Sequence, residues 1–268
     1  MDWLFSWWQY DFMRTALWAL LLLVPLLAML GTLVVNNGMA FFSDALGHSA
    51  LTGVALGVVF GVSEYKWIMV VFAVVFALLM NAIRHSRIAS TDTVISVFSA
   101  VGVALGLALL SRGGNFSNYQ SLLIGDVLSI TRSELWVLGG VLAVTATVWL
   151  CLFNGFHATG ISPSMARSKG MPVMWLDNLF VVLVAVVVML AIRWVGLLLI
   201  NAMLILPAAA ARNVARSVRS YHLLALVFGV FAAVLGLLLA YFNAVATGPM
   251  VILALAAVYF GTFMMREK

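Results

Sequence analysis

Two ionisable residues stand four positions apart in an otherwise apolar stretch of this sequence. Residues 41–57 read FFSDALGHSALTGVALG, in which Asp44 and His48 are the ionisable side chains. A spacing of four places both side chains on the same face of a helix. A carboxylate oxygen and an imidazole nitrogen form a ligand pair that suits zinc or manganese better than calcium or copper(I). We therefore predict that Asp44 and His48 contact a metal ion, although two ligands do not complete a metal site.

The composition indicates that this stretch lies in a membrane. The protein has 268 residues, of which 65% are hydrophobic and 9% charged, and its mean hydropathy is +1.15. These values are typical of an integral membrane protein that contacts lipid. An ionisable group at membrane depth is costly unless an ion or a partner compensates it. The pair therefore lines a pathway or, alternatively, its two members only bond to each other or to a neighbouring helix for stability.

Nine apolar runs predict an all-α bundle of eight or nine transmembrane helices. The seventh run is shorter than the others and is interrupted by Pro207. Since no polar segment is long enough for a soluble domain, residues 1–268 are predicted to form a single transmembrane domain. Residues 1–14 are rich in tryptophan and are predicted to lie at the membrane interface. The runs cover approximately residues 15–35, 41–62, 66–83, 94–111, 134–153, 174–192, 195–211, 222–242 and 247–264.

Several spans contain glycines on one helical face. Glycine pairs of this kind let helix backbones approach closely in lipid, so a compact bundle is predicted. These glycines indicate architecture and not chemistry. The pairs are Gly53 with Gly57, Gly102 with Gly106, and Gly229 with Gly236.

The basic residues are read as determinants of topology. The net charge is +5 and the pI is about 9.7, but the charges stand at the ends of apolar segments and form no basic face, so no nucleic-acid partner is expected. Because positively charged loops stay cytoplasmic, the clusters place the C-terminus inside and, counting back three spans from the first cluster, the N-terminus outside. The clusters are Arg84 with Arg87; Arg167 with Lys169; Arg212, Arg216 and Arg219; and Arg266 with Lys268.

The longest predicted cytoplasmic loop contains a segment that can form a helix. Residues 160–171 read GISPSMARSKGM, where Ser162 can cap a helix and Pro163 suits its first turn. A short docking helix is therefore predicted within residues 155–173; the alternative is a plain loop whose charges only set topology. The sequence contains no G-x-x-x-x-G-K-[ST] phosphate-binding loop, so ATP-driven activity would require a separate ATPase polypeptide.

Other polar residues are secondary candidates. Asp92 begins the fourth run, where the helix dipole favours a carboxylate, so capping is preferred over metal binding. Asp126 is expected to shape a re-entrant turn. Asn201 is expected to satisfy backbone groups where the seventh run is interrupted. Three histidines in or beside predicted cytoplasmic loops are expected to be solvated: His85, His157 and His222.

Four fragments, in this order, resemble the membrane permease family of zinc and manganese ABC importers. A further short pattern near the end, ATGPMVIL at residues 246–253, also resembles that family, so the resemblance covers nearly the whole chain. The four fragments are FFSDALGHSALTGVALG with its Asp-x-x-x-His segment, TDTVISVFSAVGVALGLALLS (residues 91–111), SLLIGDVLSIT (residues 121–131) and VGLLLINAMLILPAAAAR (residues 195–212).

The resemblance implies a fold like that of the vitamin B12 and iron-siderophore importer permeases, in the bacterial cytoplasmic membrane. It implies a second permease chain, with a homodimer favoured and a heterodimer left open, two cytoplasmic ATPase subunits that bind ATP, and an extracytoplasmic metal-binding protein that delivers Zn²⁺ or Mn²⁺. It also implies that Asp44 and His48 touch the transported metal. The residues implied in coupling to the ATPase are Ser162, Pro163, Ser164, Met165, Ala166 and Gly170, and the family usually has one or two acidic residues where this chain has Ser162 and Ser164.

Three other functions are alternatives at this point. A proton-coupled secondary transporter would use the same Asp and His, and ATP dependence separates it from an ABC importer. An intramembrane zinc protease would need an H-E-x-x-H motif, which the sequence lacks. If the chain is a purely structural subunit, metal should affect no property of the complex. Zinc and manganese remain equivalent, because Asp plus His serves either ion.

Overall fold

The fold is built from helices. The computed structural model describes residues 2–61, 65–86, 89–113 and 125–265, and no strand occurs among them. Eight helices in this part of the chain are long and apolar enough to cross a membrane, which confirms the predicted all-α class. Two 3-10 helices, Asp2–Gln9 and Val127–Ser129, accompany them. The α-helices are α1 (Asp11–Asn36), α2 (Phe42–Val59), α3 (Tyr65–His85), α4 (Thr91–Gly113), α5 (Arg132–Ile161), the short α6 (Pro163–Ser168), α7 (Val173–Val214), α8 (Val218–Asn243) and α9 (Thr247–Met264).

The spans differ in how much of their surface other helices cover. Helices are required because lipid offers no partner to backbone N–H and C=O groups, which must pair within the segment. In α1, α2 and α7 about two thirds or more of the apolar window is buried (67%, 72% and 67%), whereas in α5 only 17% is buried. The apolar residues of α1, α2 and α7 therefore pack mainly against protein, and those of α5 are left mainly for lipid.

The chain divides into two compact units, each assembled from separated segments. The first unit comprises Met1–Val35, Ile124–Cys151 and Trp194–Lys268, and the second comprises Asn36–Leu123 and Leu152–Arg193. The prediction of one domain over the full chain stays a prediction. Residues Arg87, Arg266 and Lys268, which were used to predict topology, and residues 121–124 of the fragment SLLIGDVLSIT lie outside the described residues.

The sixth and seventh apolar runs form two helical segments that are joined at a kink at Gly196 within α7. At about 1.5 Å per residue, the segments 173–195 and 197–214 are each about long enough to cross the hydrocarbon core. Gly196 has φ 77° and ψ 164°, which is not helical, so the break falls there. The predicted interruption at Pro207 was wrong, because Pro207 is buried within the helix.

A second glycine packs against this break. Gly125 has φ 63°, and a Cβ atom added to it would overlap the backbone of Val195 and Gly196. Both glycines belong to the first unit, in which they bring the fragment around Gly125-Asp126 onto the start of the fragment that begins at Val195. Positive φ and the close contact both require the absence of a side chain at position 125.

Glycines also set the contact between α8 and α9 in the first unit. A Cβ atom on Gly236 would lie 2.6 Å from the backbone nitrogen of Val251, and Val251 is fully buried. Gly261, on α9, has no atom within 4 Å of a built Cβ. This geometry supports the predicted role of Gly236 in close helix packing. Gly261 is a suitable control for a glycine-to-alanine substitution, because an added methyl group there contacts no other atom.

Replacing Gly236 with alanine is expected to lower stability by about 2 kcal/mol, because the added methyl group forces α8 and α9 apart. The readout is the midpoint of thermal unfolding of the purified protein in detergent. Gly261→Ala is the matched control and should leave the midpoint unchanged or slightly higher, since alanine is the better helix former. Equal midpoints for the two variants would contradict the packing role of Gly236.

Candidate functional site

Asp44 and His48 lie in the first two turns of α2 and face the same side. The distance from His48 Nε2 to Asp44 Oδ2 is 3.5 Å, and the two side chains are 37% and 40% exposed on the surface of the chain. The structure therefore brings the predicted pair together at a spacing slightly longer than a good hydrogen bond. Their exposure leaves both groups accessible to a ligand from outside the chain.

Helix α4 is held against α2 by backbone-level contacts. The Thr52 hydroxyl donates to the carbonyl oxygen of Gly102, and a Cβ on Gly102 would come within 3.1 Å of the Cβ of Ser49. One turn further on, a Cβ on Gly106 would lie 2.8 Å from the backbone nitrogen of Thr52. The glycine pair predicted for helix packing thus sets how closely α4 approaches the helix that carries Asp44 and His48.

The approach of α4 leaves an open groove beside the pair. The groove has a volume of about 530 Å³ and is formed by α2 and α4, both of the second unit. On the α4 side it is lined by the hydroxyls of Ser96 and Ser99 and then by small or medium apolar residues. Those residues were missed in the sequence, where serine and alanine in an apolar run carry no signal of their own. The remaining α4 lining residues are Ile95, Ala100, Val103, Ala104 and Leu107.

The second unit offers two strong metal ligands at this groove. Among the described residues no group of three or more His, Cys, Asp or Glu side chains is placed to hold a metal ion. A tetrahedral zinc site has four ligands, and a catalytic one keeps three protein ligands plus water. The predicted metal contact is therefore limited, among the described residues, to Asp44 and His48 at the groove.

The secondary candidates lie elsewhere. Asp92 is exposed in the first turn of α4, where Ser90 makes the cap by accepting from the Thr93 N–H at 3.2 Å. Asp126 caps the 3-10 helix Val127–Ser129, with its carboxylate accepting from the Leu128 N–H at 2.9 Å. Asn201 is half-buried in α7, and both Asp126 and Asn201 belong to the first unit. Asp92 is not among the residues that line the groove.

The segment predicted for docking contains the helix α6. Ser162 is its N-cap and accepts from the Met165 N–H at 3.3 Å, and Pro163 occupies the first turn, so the predicted start is confirmed. At the other end Gly170, with φ 76°, donates to the Arg167 carbonyl, and Met171 donates to the Ala166 carbonyl at 3.1 Å. This pair of bonds is a Schellman ending.

The surface of α6 is mostly open. Ala166 is 2% exposed and anchors the helix, whereas Met165 is 61% exposed. Residues 155–161, predicted as part of the connecting segment, instead continue α5 to Ile161. An exposed methionine on a capped, one-and-a-half-turn helix is a suitable contact for another protein.

A buried polar network, which we call the Asp177 network, lies beside α6 in the second unit. Asp177 accepts from Arg84 and lies 3.2 Å from His85 Nε2, and the Asn81 amide donates to Asn178 at 2.8 Å. The side chains of Asp177 and Arg84 are only 13% and 15% exposed. The network therefore ties the end of α3 to the start of α7. The rule that singled out Asp44, an acid inside an apolar run, also applies to Asp177, which sequence analysis overlooked.

The structure corrects the expectation of solvation for His157 and His222, which are half-buried, whereas His85 is exposed as expected. His85, His157 and His222 lie within helices, and each Nδ1 is 2.8–2.9 Å from the carbonyl oxygen four residues earlier. His85 in addition joins the Asp177 network. Arg84 of that network and Arg167 of α6 line one polar cavity of about 320 Å³, which agrees with assigning their two loops to one side of the membrane.

Eight apolar spans together with a carboxylate–imidazole pair at an open groove are the features of a membrane permease. The chain belongs to the ABC 3 transport family, whose sequence pattern matches residues 9–266. Membership confirms the resemblance inferred from the four fragments and does not favour a proton-coupled transporter. It also implies that ATP is hydrolysed by a separate subunit.

Relatives and solved structures agree with this assignment. The chain is 29% identical over 260 residues to the manganese import system permease protein ScaB of Streptococcus gordonii, covering 97% of this chain and 93% of that protein. It is 31% identical over 262 residues to the high-affinity zinc uptake system membrane protein ZnuB of Haemophilus influenzae, covering 97% and 100%.

The structural comparison extends over the same length. A chain of PsaBC from Streptococcus pneumoniae in complex with Fab superposes with a TM-score of 0.82 and 30% identity, covering 95% of this chain and 91% of that one. A metal-chelate type ABC transporter in an inward-facing conformation gives a TM-score of 0.72 at 16% identity, covering 95% and 86%. The second likeness concerns the fold alone.

Replacing Asp177 with asparagine is expected to destabilise the protein by about 3 kcal/mol, because Arg84 is then left buried without its counter-ion. Thermal unfolding of the purified protein measures the change. Asp92→Asn, which removes an exposed carboxylate near a helix start, should cost less than about 1 kcal/mol. If both variants unfold at the same temperature, the Asp177 network does not stabilise the α3–α7 contact.

Proposed function

We propose that this chain is the permease subunit of an ATP-driven importer that moves Zn²⁺ or Mn²⁺ across the bacterial cytoplasmic membrane. The observation that carries the proposal is the Asp44–His48 pair at an open groove, within a chain of the ABC 3 transport family. Relatives named for manganese import and for zinc uptake support both ions equally. A carboxylate and an imidazole bind either ion. Which metal is transported therefore depends on the protein that delivers it and on the availability of each metal.

The spacing of the pair supports metal contact. Two ligand atoms at about 2.1 Å from a zinc ion, separated by the tetrahedral angle, are about 3.4 Å apart. The 3.5 Å between Nε2 and Oδ2 is close to that value, so both groups can bind one ion with little movement. A direct Asp–His hydrogen bond, the structural alternative, would favour a distance nearer 2.9 Å.

A second identical chain is the simplest way to complete the ligand set. Two-fold symmetry places the same patch of each subunit against the other. If the Asp44–His48 faces meet at the axis, the dimer supplies two carboxylates and two imidazoles, which is a four-ligand set for a tetrahedral ion. The partial exposure of both side chains on the single chain supports such an arrangement.

Coupling to ATP is assigned to α6 and its flanks. In this proposal Met165 contacts one of two cytoplasmic ATPase subunits, while Ser162, Pro163, Ser164, Ala166 and Gly170 shape the helix that presents it. In this proposal the Asp177 network, which lines the same cavity as α6, couples movement of the docking helix to the ends of α3 and α7. Closure of the ATPases on ATP is then transmitted as a rigid-body shift of these helix ends.

The transport cycle is alternating access. An extracytoplasmic binding protein releases the metal into the pathway, where Asp44 and His48 hold it transiently before it leaves towards the cytoplasm. The topology has the N-terminus outside and the C-terminus inside. Residues 1–268 act as one permease domain, with the tryptophan-rich start at the membrane interface.

The double variant Asp44→Ala/His48→Ala is expected to lower ATP-dependent uptake of radioactive zinc or manganese by at least about tenfold, since even outer-shell partners of a metal have effects of that size. The assay uses proteoliposomes with the permease, its ATPase and its binding protein. Asp92→Ala is the matched control, because it removes an exposed carboxylate from α4 away from the groove.

Three outcomes of the uptake assay bear on the proposal. Unchanged transport by an assembled double variant would rule out the metal role of the pair. Uptake by the parent protein that persists without ATP would indicate a secondary transporter. No uptake of either metal by a well-assembled parent complex would reject zinc and manganese as substrates.

Placing a charge on the exposed face of α6 is expected to uncouple the ATPase. Met165→Asp should reduce both co-purification of the ATPase and transport by about tenfold, because an exposed apolar contact is replaced by a hydrated carboxylate. The control is Met264→Asp, which makes the same change at an 87% exposed methionine at the end of α9. Equal ATPase binding by the two variants would show that Met165 is not a docking contact.

A further inference from the structure

A groove in the first unit combines an ion cluster with aromatic and apolar walls. Helices α1 and α5 form it, and its volume is about 620 Å³; we call it the α1–α5 groove. At its mouth Asp11 accepts hydrogen bonds from Arg14 and, at 2.6 Å, from Arg132. Its walls include Trp18 and Leu22 of α1 and Trp136 and Gly139 of α5.

The polarity of the α1–α5 groove changes along its length. The charged residues lie in the first turn of each helix, and at about 1.5 Å per residue Leu22 lies about 12 Å beyond Arg14. Trp18 and Trp136 lie between these levels and are 54% and 83% exposed. The groove therefore changes from charged residues, through the two tryptophan rings, to an apolar wall. A phospholipid has the same order of polarity from its headgroup to its acyl chains.

The ion cluster has capacity for a further anion. Two guanidinium groups and one carboxylate leave one net positive charge, and Arg132 is 75% exposed. The Arg14 side chain is 41% exposed. A guanidinium carries five N–H donors, so both arginines retain donors after bonding to Asp11. The nearby Glu134 bonds to Thr131 and is not among the residues that line the groove.

Topology does not account for these two arginines. Both stand at the helix ends that are predicted to lie outside, where the positive-inside rule favours few cations. The α5 span is also the least buried, with 17% of its window covered, so its surface is available to lipid. A specific ligand for the cluster explains both features.

We propose that the α1–α5 groove binds one anionic glycerophospholipid per permease chain. Oxygens of the phosphodiester accept hydrogen bonds from Arg132 and Arg14 in place of water, and one acyl chain lies along Leu22 and Gly139. The binding is independent of the metal chemistry proposed above. The assignment to the extracytoplasmic leaflet and the argument from the positive-inside rule both rest on the proposed topology.

Native mass spectrometry of the detergent-purified permease–ATPase complex tests the proposal, with phosphatidylglycerol or phosphatidylcholine added back after delipidation. One phosphatidylglycerol per permease chain should remain bound, and Arg132→Gln should weaken its retention by about tenfold, the loss expected for one charge-assisted hydrogen bond. Arg193→Gln is the control, because Arg193 is an exposed arginine that does not line the groove.

A second pair of variants tests the apolar wall without removing charge. A Cβ atom at either Gly139 or Gly140 meets no atom within 4 Å, so neither position blocks the start of a side chain. Gly139 lines the groove and Gly140 does not. Gly139→Leu should therefore displace the lipid, while Gly140→Leu should retain it.

Three results would overturn the proposal. The first is that phosphatidylglycerol and phosphatidylcholine are retained equally. The second is that Gly139→Leu and Gly140→Leu hold the same number of lipids. The third is that Arg132→Gln leaves the lipid count unchanged but weakens binding of the extracytoplasmic metal-binding protein, which would make the groove a protein contact.

Discussion

The candidate site depends on how closely α4 approaches α2. Gly102 and Gly106 put the backbone of α4 against Ser49 and Thr52, and the Thr52 hydroxyl bonds to the Gly102 carbonyl. Because these two positions lack side chains, the helix backbones meet at van der Waals distance. In lipid the hydrophobic effect does not drive helices together, so this close packing stabilises their association. The groove beside Asp44 and His48 follows from this contact, since a wider separation of the two helices would change its width. The same few turns of α2 and α4 therefore determine both the packing of the two helices and the geometry of the candidate site.

The two polar clusters of the second unit solve the same physical problem in different ways. The Asp177 network buries its charges and compensates them internally with a guanidinium, an imidazole and two amides, so it can serve as a rigid connection. The Asp44–His48 pair is left partly exposed, at a distance too long for a strong mutual hydrogen bond. Charges that are buried and already paired within the protein are poorly placed to bind a passing ion. The Asp44–His48 pair is accessible from the groove, and the transport role proposed for the pair depends on this difference in exposure.

Hydropathy was sufficient to predict the all-α class and the positions of the spans, because each backbone group in lipid must pair within its own helix. Ser162-Pro163 likewise predicted the start of α6, since capping is a local property. The boundary between the sixth and seventh runs, after residue 192, agrees with the kink at Gly196, where Gly125 packs from a distant segment. The additional interruption predicted at Pro207 was wrong, because a buried proline can remain helical when its neighbours compensate. The groove residues Ser96 and Ser99 and the partners of Asp177 were also missed. They are defined by contacts between helices that no spacing within one helix encodes.

An incomplete ligand set suits transport better than a complete one. Structural zinc sites with a full set bind with about 10–16 kcal/mol, and the upper value corresponds to a picomolar dissociation constant. Even with association at about 10⁹ M⁻¹s⁻¹, release from such a site would take place at about 10⁻³ per second, too slowly for an importer. In the proposed mechanism Asp44 and His48 of one chain hold the metal more weakly than a full ligand set and release it faster. If ligands from a second chain join only in one state of the cycle, ATP-driven separation of the chains removes half of the ligand set. The metal is then released, because the remaining two ligands bind it more weakly. The energy of ATP thus drives the release step, which would otherwise be slow.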